Sequence, residues 1–435
     1  MHAAEVPVRR RFMKMRVLAG LILIAAAMMG MASCGHYTCG SGPILSATGC
    51  TAGTTGLSSG GTTGSASAAF AFAVDTAGTI DGYTLNTTAD TFAATSNYTA
   101  PEAPVSDGGR GMVVAQSQYL YAGFGSTDQI YGWSIDSTGN LTALSQSPYS
   151  APFMGDVGGG YGIQSIITNP TGTFLFFADL LNDGIYVYSI GTGGALTEVS
   201  GSPFSVPFGP VNMATDGLGK YLYVTESFDD HTGTAVAAYT IGGTGALTSV
   251  AGSPFTTASY DMWEVQGEPT GKYLVGTSGK NLDLNGTDDD HLYVFSITQS
   301  GASAGAITPV SGSPFLTTYS PYNIAVQSNS SGNLVYSFSI NDTLTGFNSI
   351  EGYEIGTGGA LTAVTGSPFS DVALGSWGQF DQSGQFLFVY SAVDNSGTYT
   401  YSLGPLDVAS GGALTQPIGT TTLSTVGFWA VTDPQ

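Results

Sequence analysis

Basic residues are nearly missing from this chain. Nine Lys and Arg stand against 31 Asp and Glu in 435 residues, and five of the nine (Arg9, Arg10, Arg11, Lys14 and Arg16) fall before residue 34. Beyond residue 33, 30 carboxylates face only Arg110, Lys220, Lys272 and Lys280, a formal charge of −26. Such a surface repels phosphate backbones, which speaks against nucleic acid as a partner and leaves cations, basic proteins or neutral ligands. Cysteine is scarce too: Cys34, Cys39 and Cys50 all precede residue 51, and none has the Cys-x-x-Cys or Cys/His spacing of a zinc site. No apolar run is long enough to span a bilayer, the nearest being Val17 to Met31. Helical periodicity over ten residues, a G-x-S-x-G elbow, a phosphate-binding Walker loop and a dinucleotide fingerprint are also missing.

What the chain does have begins with an export pattern. The basic cluster followed by the uncharged run reads as a signal peptide over residues 1–33. Met31-Ala32-Ser33-Cys34 resembles the lipobox of bacterial lipoproteins, which implies lipidation at Cys34 and an extracytoplasmic, membrane-anchored protein. Arg9-Arg10-Arg11-Phe12-Met13-Lys14 matches the twin-arginine export pattern, with an ordinary basic leader as the alternative. Residues 34–66 are rich in Gly, Ser and Thr and read as a flexible tether, where Cys39 and Cys50 are candidates for a short disulfide.

From residue 67 a unit recurs. It contains a polar turn with an aromatic strand (PTGTFLFFAD from Pro170, GLGKYLYVTE from Gly217), an alternating strand (DGIYVYSI from Asp183), and the segment GALTEVSGSPF from Gly194. That last segment returns as GALTSVAGSPF, GAITPVSGSPF and GALTAVTGSPF. Its landmark residue falls at Phe92, Leu141, Leu196, Leu247, Ile307, Leu361 and Leu414, so there are seven copies. Each copy has room for four short strands bounded by Gly, Asn, Asp or Pro. Seven four-stranded units predict an all-β, seven-bladed β-propeller over residues 67–435 that stands as a monomer. The terminal GFWAVTDP resembles the strand that opens each unit and is missing near Ser67, so it is expected to complete the first sheet and clasp the ring. Within the repeated segment, ALT reads as an outer strand. GSPF reads as the turn to the next blade, its Phe plugging the gap between sheets.

Lys220-Tyr221-Leu222-Tyr223-Val224-Thr225-Glu226 and PTGKYL from Pro269 resemble the YVTN-type propellers, and the whole unit resembles the lactonase family that includes the 6-phosphogluconolactonases. The resemblance implies a ligand site at the channel mouth, made from His and Arg at the starts of inner strands, an Arg in a D-L-G-x-D-R loop, and a Glu after the YLYV strand. Glu226 matches. The loop instead reads Asp179-Leu180-Leu181-Asn182-Asp183-Gly184, H-x-H is replaced by Gly162-Ile163-Gln164, and P-R-H by Pro210-Val211-Asn212. Opening a lactone builds negative charge on oxygen, and removing one group that stabilises it typically costs ~10² to 10³ in rate.

Two functional readings follow. The first is a propeller that binds a small neutral or cationic ligand, or a basic protein, at an acidic, aromatic mouth, with Asp179, Asp183, Tyr260, Trp263, Tyr322 and Trp377 as contact candidates. The second is a hydrolase of an unphosphorylated lactone using Glu226, His231 and Arg110. KNLDLNGTDDDH, the longest acidic loop, offers Asp283, Asn285, Asp288 and Asp290 as oxygen ligands for Ca²⁺, against the plainer reading of a solvated loop.

Overall fold

A computed structural model describes residues 68–432, apart from 75–78, 88–90, 100–110, 125–128, 151–162, 181, 227–234, 258–261, 279–289, 330–331, 340–348, 370–376, 395–398, 417–419 and 424–427. Seven antiparallel sheets follow one another along the chain. Blade 1 is the one built from both ends: Phe428–Thr432 pairs with Ala68–Val74, followed outward by Thr79–Asn86 and Thr91–Thr99. The terminal strand therefore closes the ring as its sequence predicts. Blades 2 to 7 open on the innermost strands Met112–Ala115, Ile163–Thr168, Pro210–Thr215, Met262–Gly267, Pro321–Asn329 and Trp377–Phe380. All seven landmark residues lie in outermost strands, from Phe92 to Leu414. The one helical element among the described residues is a single 3₁₀ turn, Thr192–Gly194, and no described helix is long and apolar enough to cross a membrane.

The repeated peptide does more than turn. After ALT the chain crosses a cis Ser-Pro bond, found in five blades, and in blades 3, 4 and 5 the Phe starts a two-residue strand beside the third strand of its own blade. The outer position is thus shared by two short strands, and the expected direct passage to the next blade is deferred by one extra pairing. The serine fills the gap between them. Ser202 Oγ accepts the Val187 N–H at 3.0 Å, Ser253 Oγ that of Ala238 at 2.8 Å, and Ser313 Oγ that of Val294 at 3.0 Å. Without it a strand N–H would be left unpaired at each site.

Glycine in GALT joins neighbouring blades. Gly305 adopts φ +91°, and a Cβ there would sit 2.6 Å from the Tyr221 ring of the preceding blade. Its carbonyl accepts the Tyr223 hydroxyl at 3.0 Å. Gly194 repeats the arrangement with Tyr119 and Tyr121. Core clusters accordingly lie between sheets: Phe176 and Val187 of blade 3 pack with Met213 and Leu222 of blade 4, and Phe204 of the SPF turn lies against them.

Candidate functional site

Innermost strands leave one edge facing the channel, and an unpaired edge is a liability. Here side chains of the preceding blade cap it. Asn212 Oδ1 accepts the Val265 N–H (3.3 Å), Gln266 Nε2 donates to the Ile324 carbonyl (2.7 Å), and Gln266 Oε1 accepts the Val326 N–H (3.1 Å). Gln327 reaches the Asp381 carbonyl and Gln379 the Trp429 carbonyl. At the turn end of these strands a second set of polar side chains braces the turns: Asn169, Asp216, Glu268 and Asp381 each accept N–H groups from the turn that follows.

The mouth end is irregular. Register shifts between Pro210 and Met213, Met262 and Glu264, and Pro321 and Asn323 are β-bulges that re-aim the residues between and beside them. Glu264 and Asn323 are thereby brought together. Asn323 Nδ2 donates to Glu264 Oε2 at 2.6 Å, the Ile324 N–H reaches the same oxygen at 3.2 Å, and Gln266 Nε2 reaches Oε1 at 3.2 Å. Glu264 is 3 % exposed and is the one charged residue in the seven innermost strands. Residues of all seven blades, Glu264 and Asn323 among them, border a cavity of about 400 Å³, within the range of small-molecule sites.

Aromatic rings gather here as well. Trp263 lies 6.1 Å from Tyr322, and Tyr322 meets Trp377 edge-on at 6.2 Å, an arc across blades 5, 6 and 7. Of these three, Trp377 borders the cavity, alongside Tyr390 and Trp429. Tyr390 stacks on Tyr401 at 6.1 Å, and burial followed by that neighbour pushes its phenol up.

The other predicted residues fall elsewhere. Asp179 is enclosed and accepts the Asn182 N–H (3.2 Å) and Nδ2 (2.8 Å), closing its own loop, and together with burial it raises the Tyr186 phenol to about 12. Asp183 is exposed at φ 48°. Glu226 is half-buried at the end of Tyr221–Glu226, opposite Pro210. None of the three borders the cavity. Asp290 accepts the Ser320 hydroxyl at 2.6 Å, and its carbonyl takes the Thr317 N–H, so it ties an inter-blade loop. Arg110, His231, Tyr260, Asp283, Asn285, Asp288 and Cys34 lie outside the described residues. Among those described, no three His, Cys, Asp or Glu side chains converge as metal ligands.

Seven four-stranded sheets around a polar, bulged channel define a β-propeller. Residues 65–346 match the profile of the lactonase family of seven-bladed β-propellers, and the chain belongs to that family. Among solved structures it is similar to a "putative 6-phosphogluconolactonase" from Bacteroides uniformis ATCC 8492, at 14 % identity and TM-score 0.60 over 84 % of this chain and 100 % of that one. A protein of the same description from Bacteroides fragilis NCTC 9343 gives 15 % and 0.59 over 85 % and 99 %. The periplasmic gluconolactonase PpgL of Pseudomonas aeruginosa gives 13 % and 0.55 over 84 % and 99 %. No curated protein matches the sequence significantly.

Proposed function

We propose that this protein is an exported, lipid-anchored lactonase-family propeller that binds an uncharged, hydroxyl-rich ring, a sugar lactone or a sugar of that size, in its channel mouth. One observation carries the reading. The described residues bordering the cavity include a carboxylate (Glu264), amides (Asn212, Gln266, Asn323) and aromatic faces (Trp377, Trp429), and no Lys, Arg or His. Amides and a carboxylate accept and donate to hydroxyl groups, while ring faces suit the C–H side of a sugar. A phosphate or carboxylate on the ligand would meet Glu264 with no described cation to offset it. The phosphorylated lactones in the names of two relatives therefore fit less well than the unphosphorylated kind in the name of the third.

Hydrolysis of the bound lactone is the second reading, favoured by family membership together with a carboxylate on the channel wall. It places Glu264, rather than the rim residue Glu226, nearest the ring. Titration calorimetry of protein lacking residues 1–34 against galactono-1,4-lactone, gluconate and 6-phosphogluconate tests the first reading: binding of the neutral ring alone is expected, and preference for either anion would overturn it. A pH-stat assay on glucono-1,5-lactone, with the spontaneous rate subtracted, separates the second. Anchoring is checked by membrane fractionation of Cys34→Ala, which is expected to shift the protein to the soluble extracytoplasmic fraction.

A further inference from the structure

Two neighbouring blade junctions make the same pair of contacts. Between blades 4 and 5 the Thr225 hydroxyl donates to the Trp263 carbonyl (3.2 Å) and Asn212 Oδ1 accepts the Val265 N–H (3.3 Å). Between blades 5 and 6 the Thr277 hydroxyl donates to the Tyr322 carbonyl (3.5 Å) and Glu264 Oε2 accepts the Ile324 N–H (3.2 Å). Asn212 and Glu264 are thus equivalent. The contact asks for one acceptor oxygen, and at the first junction a neutral amide supplies it. At the second a carboxylate does so while 3 % exposed, although burial penalises a charge far more than an amide. Accepting the Ile324 N–H does not by itself call for a charge.

A second irregularity lies beside it. Asn323 is fully buried and spends its amide N–H on Glu264, and its Oδ1 meets no donor among the described residues. Buried acceptors are seldom left so, because the desolvation penalty then goes uncompensated. Both residues border the cavity. One wall is therefore built on two acceptors joined by a 2.6 Å hydrogen bond, the Asn323 oxygen lying just beneath its surface, and Gln266, anchored to Ile324 and Val326 of the next blade, holds the carboxylate in position.

We infer that Glu264 and Asn323 form the specificity subsite for adjacent hydroxyl groups of the ligand, one donating to the Glu264 carboxylate and its neighbour to Asn323 Oδ1, which a small turn of the Asn323 side chain uncovers as the ligand enters. This rests on the proposed binding of a hydroxyl-rich ring and narrows it: the ring carries a vicinal diol on the side facing blades 5 and 6, and an anionic oxygen there is rejected.

The test uses protein lacking residues 1–34, with tryptophan fluorescence and calorimetry to follow two lactones, galactono-1,4-lactone with its hydroxyls and δ-valerolactone without any. Glu264→Gln keeps an acceptor for the Ile324 N–H, as Asn212 does, and gives up the Gln266 contact, so its melting temperature is expected within about 4 °C of wild type. Its affinity for the hydroxylated lactone is expected to fall ~10- to 100-fold, the loss of a hydrogen bond to a charged group, with δ-valerolactone unaffected. Glu264→Asn copies the blade 4 residue and serves as the second variant if the first does not fold. Unchanged affinity in a folded variant overturns the subsite and leaves the proposed function standing. Wild-type protein that binds no hydroxylated lactone overturns both. Loss of folding in both variants assigns the charge to structure and overturns the subsite.

Discussion

Glu264 and Glu268 lie on one strand and its following turn, both buried, yet they belong to different systems. Glu268 takes all of its recorded bonds from its own turn: the N–H groups of Thr270, Lys272 and Tyr273 and the Thr270 hydroxyl. Glu264 draws on Asn323 and Ile324 of the next blade and on Gln266, and one side of it meets a cavity. Residue type and burial do not separate the two. What separates them is which end of the strand they occupy: a closed turn at one end, a bulge opening on the channel at the other.

The contrast breaks most visibly at Glu268. Replacing it by Ala strips the acceptor from three N–H groups and a hydroxyl at once and empties a fully buried position, so a loss of about 3 kcal/mol or more is expected in urea unfolding. A loss under about 1 kcal/mol would mean that the turn holds without it. Next comes Ser253→Ala, which leaves the Ala238 N–H without its acceptor, with about 1 to 2 kcal/mol expected by the same measurement.

Asp216 sharpens the contrast through pH. Burial raises its pKa above the ordinary 3.8, against the pull of N–H donors from Tyr221 and Lys220. A raised folded pKa gives stability that is full below 3.8 and is lost as pH rises through the folded value. Asn169 does the same job in blade 3 with an amide. Asp216→Asn is therefore expected to fold normally and to gain on wild type as pH goes from 4 to 8, the range over which wild type loses the contribution of its protonated carboxyl. A steeper pH dependence in the variant would contradict this. Smallest of all is Glu264→Gln, whose unfolding free energy is expected to fall by no more than about 1 kcal/mol, because its stitch to Ile324 survives and the Gln266 contact alone is lost.

Much of the architecture was legible. Seven landmarks at nearly constant spacing can only be met by seven like sheets, and the unpaired first unit together with the surplus final strand implied the closure at Phe428–Thr432. The channel site was legible only in part. The mouth loops, where the acids are densest, mark the right end of the ring, and Trp263, Tyr322 and Trp377 do meet one another. Period-two alternation does not single out Glu264 and Asn323, because it assumes a regular ladder and a one-residue bulge changes which way a side chain faces. A signal existed even so: Glu264 is the sole charge in any innermost strand, and Met262-Trp263-Glu264 lines up with Pro321-Tyr322-Asn323 across their bulges. The role of Ser in GSPF could not be read at all, since its partner lies on another strand 15 residues back.

A blade assembled from both termini also sets an order of events during synthesis. Six sheets can form before Phe428–Thr432 has been made, while Ala68–Val74, an uncharged run of Ala, Phe and Val, waits with a bare edge. Such an edge invites pairing with another chain. A chain without Phe428–Thr432 would therefore be not a slightly smaller propeller but a sticky one, whose exposed seam recruits its own kind.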